Sequence, residues 1–157
     1  MTVATVVTAL GALGAGVMAG VYVAFSVMVM PSLDRRPPHE AVAFMQETNR
    51  WAVRPGFQVW FSGTAVVAVA LVVLAFAAED VERGWLLAGS FAYLLTIVLT
   101  GAFHIPRNNA IDAVDASDAE ASRVAWVGYS RPWTLGNHVR AVLSGIALLA
   151  YATALAA

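Results

Sequence analysis

Four sets of polar side chains recur at helical spacing in this 157-residue chain. They are Tyr22 with Ser26; Arg54, Gln58 and Ser62; Thr96, Thr100, His104 and Asn108; and Trp133, Asn137, Arg140 and Ser144. Steps of three and four place each set on one face of a helix. The residue types suit a flat, apolar ligand that carries oxygen. Arg54 and Arg140 can stabilise an enolate or phenolate oxygen, and Asn49, Asn108 and Asn137 can donate hydrogen bonds to carbonyls. Tyr22 and Trp133 can stack on rings. His104 and His138 are the candidates for proton transfer near neutral pH. His39 sits in a polar stretch and is expected to be solvated.

Composition narrows the chemistry. There is no Cys, which removes disulfides, zinc–thiolate and iron–sulfur sites and thiol redox. All nine basic residues are Arg, which removes lysine Schiff bases. No Asp or Glu falls inside an apolar run. That disfavours proton-coupled transport, which keeps an intramembrane carboxylate, and di-iron bundles, which need several Glu. A Ser-His-Asp hydrolase lacks its nucleophile turn. A net charge of −1 speaks against nucleic acid as a partner.

Stepping outward to the elements, 60% apolar and 12% charged residues with a mean hydropathy of +0.72 exclude a water-soluble globule. The uncharged runs 2–33, 55–78, 84–106 and 141–157 predict four spans, roughly 4–30, 56–78, 85–106 and 137–156. About 20 apolar residues suffice to cross a bilayer. The expected fold is all-α: a single transmembrane domain over 1–157, an integral membrane four-helix bundle with short amphipathic helices in the first and third connections. The first run lacks a basic flank and is too long for a cleaved signal peptide. Pro37-Pro38 opens the first amphipathic helix, HEAVAFMQETNRWAV. Ser117, with Glu120 three residues on, is the expected cap of the second, SDAEASRVAWVGYSR. Gly16-x-x-x-Gly20, extended by Ala12, predicts close packing within the bundle, although a homo-oligomer could use the same stripe. Trp51, Trp60, Trp126 and Trp133 fit an interfacial belt.

Charge sets the expected orientation. The first connection carries Arg35, Arg36, Arg50 and Arg54, and the third carries Arg107, Arg123, Arg131 and Arg140. The second carries only Arg83, beside Glu79, Asp80 and Glu82. Eight Arg against one predict cytoplasmic first and third connections, both termini outside, and a multi-pass protein of the plasma membrane. All four polar stripes lie toward the Arg-rich ends of their spans. Back-bonded Ser and Thr, or snorkelling Arg, explain single residues of this kind. They do not explain why Gln58, His104, Asn137 and Arg140 share one level. A common pocket inside the bundle does, and its expected partner is a hydrophobic small molecule or lipid.

Four segments carry a family likeness: FSVMVMPSL at 25–33, FMQETNRWAVRPGF at 44–57, FHIPRNNAI at 103–111 and WTLGNHVR at 133–140. In this order and spacing the chain resembles the anthrone oxygenase-like family of small four-helix membrane proteins, over nearly its whole length. The resemblance puts Met30, Pro31, Asn49, Pro55, Pro106, Asn108, Trp133, Asn137 and Arg140 on recurrent family positions. It implies an oxygenase that converts the activated ring CH₂ of an anthrone to a quinone carbonyl with O₂, without metal or flavin. Catalytic roles then fall to His104, Asn137, His138 and Arg140. Substrate binding falls to Tyr22, Asn49, Arg54, Gln58, Thr100, Asn108 and Trp133, with no metal ligands. Two alternatives stand beside it: a non-catalytic membrane subunit that holds a lipid, quinone or partner protein, and a haem or metal redox protein using His104 and His138.

Overall fold

The computed structural model describes residues 2–79 and 81–157. Asp80, one of the acidic residues of the second connection, lies outside the described residues. In lipid, backbone N–H and C=O groups must be satisfied within their own segment, so apolar runs of this length become helices. Helix α1 (Val3–Ala24) starts at Thr2, whose hydroxyl accepts from the Thr5 amide. It runs through a π-helical turn (Phe25–Val29) into α2 (Met30–Leu33). Then follow α3 (Pro38–Ala52), α4 (Pro55–Ala77) and α5 (Arg83–Leu99). A second π-helical turn (Thr100–His104) leads into α6 (Ile105–Asp112), and α7 (Ala119–Ala156) completes the chain. No strand occurs among the described residues. Four stretches are long and apolar enough to cross a membrane: Val3–Leu33, Pro55–Ala77, Arg83–Asp112 and Ala119–Ala156. The protein is an all-helical membrane bundle, as its sequence predicts.

The spans form a ring in which α1 packs on α4 and α7, and α5 closes it against the other sides of α4 and α7. One core cluster fills the ring, around Met18, Leu71, Tyr93 and Tyr151. The second lies beneath α3, where Met30, Val42, Met45, Ile111, Trp126 and Trp133 meet. Large apolar side chains such as Val66, Val98 and Leu149 point outward, as lipid-facing positions should.

Several sequence expectations are corrected. The third connection's amphipathic helix and the fourth span are one helix of 38 residues, about 57 Å long at 1.5 Å per residue. Pro132 sits inside it without ending it. Membrane helices tolerate Pro inside a span; nearby, the Thr134 hydroxyl back-bonds to the Ser130 carbonyl at 2.8 Å. Its cap is Asp118, not Ser117: the Asp118 carboxylate accepts from the Glu120 and Ala121 amides. Ser117 instead donates, through backbone and hydroxyl, to Asp115. Close packing of α1 uses Gly11 and Gly14, where a Cβ would come within 2.9 Å of Leu71 and 2.1 Å of Thr64. Gly20 meets nothing within 4 Å, and Gly16 touches only Leu148. Trp51 and Trp60 are exposed as a belt requires, but Trp126 and Trp133 are buried.

The π-helical turns share one local cause. Each is followed, two residues on, by a proline: Pro31 after the first, Pro106 after the second. Proline lacks the N–H of an i→i−4 bond and crowds the preceding turn. The wider turn absorbs this, with Met30 N–H reaching back to the Phe25 carbonyl and Ile105 N–H to the Thr100 carbonyl. Single π turns of this type concentrate at functional sites.

Candidate functional site

Both π turns face one cavity of about 410 Å³. Tyr22 of α1, Phe25 of the first π turn, Phe57 and Phe61 of α4, Ile105 of α6 and Trp133 of α7 form most of its apolar wall. Its buried floor is polar and comes from the facing turns of α1, α7 and the second π turn. Asn137, fully buried, donates to the Tyr22 carbonyl at 2.6 Å and to the Ser26 hydroxyl at 2.7 Å. Its side-chain carbonyl accepts from Arg140 Nη2 at 2.6 Å. Arg140 Nη1 donates to Thr100 Oγ1 at 3.2 Å, and that hydroxyl donates onward to the Thr96 carbonyl. The guanidinium lies 4.4 Å from the Tyr22 ring centre and 5.6 Å from that of Trp133. Cation–π contact of this kind favours the charge.

Arg140 is only 7% exposed, and no carboxylate pairs with it among the described residues. Its Nε has no hydrogen-bond partner. A buried cation without a counterion is costly. Beyond Asn137 and Thr100, which accept from it, the guanidinium stands in an apolar wall with no carboxylate among the described residues to balance its charge.

The rim is polar in a different way. Asn49 of α3 donates to Asp112 Oδ1 at 2.9 Å, and Gln46 ties α3 to the carbonyls of Ile111 and Val114. Asn108 Oδ1 accepts from Tyr129 Oη and Trp133 Nε1, both at 3.0 Å. Gln58 donates to the Ala52 carbonyl at the end of α3 and accepts from Ser62.

Of the residues that the sequence singles out, Tyr22, Asn49, Gln58, Thr100, Asn108, Trp133, Asn137 and Arg140 line this cavity. His104, Arg54 and His138 do not. His104 is buried behind Trp133, ring centres 5.4 Å apart and edge-on, with Phe103 on its other side. Gly136 makes room for it, since a Cβ there would come within 2.9 Å of the imidazole. Arg54 is exposed at the start of α4, and His138 is on the exposed face of α7. The two imidazoles therefore do not face each other across a common site, and no group of three or more His, Asp or Glu is placed to hold a metal among the described residues. The sequence analysis missed Asp112 because it falls just past the apolar run. It also missed Asp34, which accepts from Trp126 Nε1 and the Ser130 hydroxyl and so ties α2 to α7.

Fold and site together define a small helical membrane protein with one aromatic cavity built around an unpaired arginine. The sequence profile of the family described as anthrone oxygenase matches residues 57–150, more than half of the chain, and the chain belongs to that family. No curated protein and no solved structure matches it.

Proposed function

We propose that the protein is a membrane-embedded oxygenase for a hydrophobic phenolic substrate of the anthrone type, working without a resident metal or flavin. The observation that supports this above others is Arg140: buried, unpaired, and set against aromatic rings in the cavity. In this reading the substrate lies against Tyr22, Phe25 and Trp133. Arg140 donates to its carbonyl oxygen and holds that oxygen as an enolate when the ring CH₂ loses a proton to water at the rim. Asn137 uses both amide hydrogens on the first span, at Tyr22 of α1 and Ser26 of the first π turn, so its part is to orient Arg140 rather than to bind substrate. His104 acts by fixing the edge of Trp133.

The remaining chemistry balances on substrate and O₂ alone. The carbanionic carbon gives its electrons to O₂ and forms a C–O bond, and protonation yields a hydroperoxide. Loss of the second C–H proton as the O–O bond breaks leaves the quinone carbonyl and one water. The CH₂ supplies all four electrons. Family membership supports the reaction class but does not fix the substrate. We further propose that the Arg-rich connections are cytoplasmic and both termini external, in the plasma membrane.

The test is oxygen consumption by the purified, detergent-solubilised protein with anthrone, in the presence of a metal chelator. Wild-type protein should consume O₂ above the spontaneous rate, and Arg140→Ala should lower kcat/KM by about 10²–10³, the usual effect of removing one oxyanion donor. Equal rates for the two proteins would remove the proposal.

A further inference from the structure

The cavity is chemically polarised. At its buried end stands Arg140, a group of donors only. Part-way out is Asn108, and its orientation is fixed by chemistry: indole N–H is a donor only, so the atom facing Trp133 must be the side-chain oxygen. Both that oxygen's contacts are filled, by Tyr129 and Trp133. At the exposed rim Asp112 is the lining carboxylate, an acceptor only, beside Thr48, Asn49 and Asn109. Asn49 holds one of its oxygens at 2.9 Å, and no Arg pairs with it among the described residues.

We propose that Asp112, held by Asn49, is a specificity-determining residue: it accepts a hydrogen bond from a hydroxyl at the outer end of a ligand whose inner oxygen lies on Arg140. The inference rests on the aromatic-ligand reading of the cavity and adds a direction to it. A ligand with an acceptor at one end and a donor at the other fits one way round. A ligand whose outer end carries only an acceptor cannot make that bond to Asp112. Asp112 is not assigned a part in the chemical step.

Two probes that differ by one donor test this: 2-(hydroxymethyl)anthraquinone and 2-(methoxymethyl)anthraquinone, titrated against the full-length protein in detergent by quenching of tryptophan fluorescence. Neither substituent ionises, so charge on the probe does not confuse the comparison. Wild-type protein should bind the alcohol about tenfold more tightly, as expected for a hydrogen bond to a charged acceptor. Asp112→Ala should bring the ratio near one, and Asp112→Asn, which preserves shape, should lower it by severalfold. Arg140→Ala should weaken both probes together and leave the ratio intact. Equal affinity of wild-type protein for the two probes, or an unchanged ratio in both Asp112 variants, would overturn the inference while leaving the aromatic cavity standing. Failure of both probes to bind wild-type protein would overturn it together with the reading on which it rests.

Discussion

At the scale of single residues, the site is a chain of orientation rather than a set of independent groups. Asn137 fixes Arg140 because its own amide is anchored at two points, the Tyr22 carbonyl of α1 and the Ser26 hydroxyl of the first π turn. Asn137→Ala removes the anchor and leaves the buried guanidinium with one fewer acceptor. Loss of a buried hydrogen-bond partner costs about 1–3 kcal/mol, more where charge is involved. Thermal unfolding of this variant should therefore show clear destabilisation, alongside a fall in oxygen consumption, whereas His138→Ala on the exposed face should change neither. Normal activity in Asn137→Ala would show that Arg140 does not need it. Gly136→Ala tests the rear wall. A methyl there meets the Phe103 ring at 2.5 Å and the His104 ring at 2.9 Å, so Trp133 must shift. Overpacking of this kind costs about 1–3 kcal/mol, and probe binding should weaken with it.

At the scale of elements, the hydrophobic pattern predicts four apolar spans, because length and apolarity alone decide whether a segment can cross lipid; four such stretches are present, the last within a helix that begins at Ala119 rather than near 137. The polar stripes were equally legible. Of Gln58, His104, Asn137 and Arg140, chosen for their common level, three line the cavity and His104 lies behind Trp133. What could not be read were features set by tertiary contact. The helix runs unbroken through Pro132, so the amphipathic segment and the fourth span, expected as two elements, are one. The choice between Ser117 and Asp118 as cap depends on one residue of register. Asp118→Ala should cost about 1 kcal/mol in helix stability, against little for Ser117→Ala. Thermal unfolding of the pair distinguishes them, and equal effects would contradict the assigned cap. The small-residue stripe of α1 gives a sharper contrast. Gly14→Ala drives a Cβ into Thr64, whereas Gly20→Ala meets nothing. The first should destabilise strongly and the second should be silent, which reverses the expectation from the Gly16-x-x-x-Gly20 motif.

At the scale of the whole molecule, apolar surface and arginine placement define how the bundle sits. The absence of Cys makes orientation directly measurable. Single cysteines at Arg35→Cys and Glu82→Cys, treated in intact cells with a membrane-impermeant thiol reagent, should label only at position 82. Labelling of position 35 alone would invert the proposed topology. In the same frame, the cavity is a place where an unpaired cation and aromatic walls are held ready at the Arg-rich side of a lipid-facing bundle. Its existence depends on α1, α3, α4, α6 and α7 at once, which is why no single motif in the sequence reports it.

The proposed stabilisation of an anionic oxygen in the cavity can be tested without turnover. Neutral anthrone and its enolate differ in absorption, so the protein can be titrated with anthrone under strict exclusion of O₂. Wild-type protein should generate the enolate band in proportion to occupied sites, at a pH where free anthrone stays neutral, and Arg140→Ala should bind with little or no band. A neutral spectrum for anthrone bound to wild-type protein, or the same band in the absence of Arg140, would contradict the assignment of this residue as the holder of the reacting oxygen.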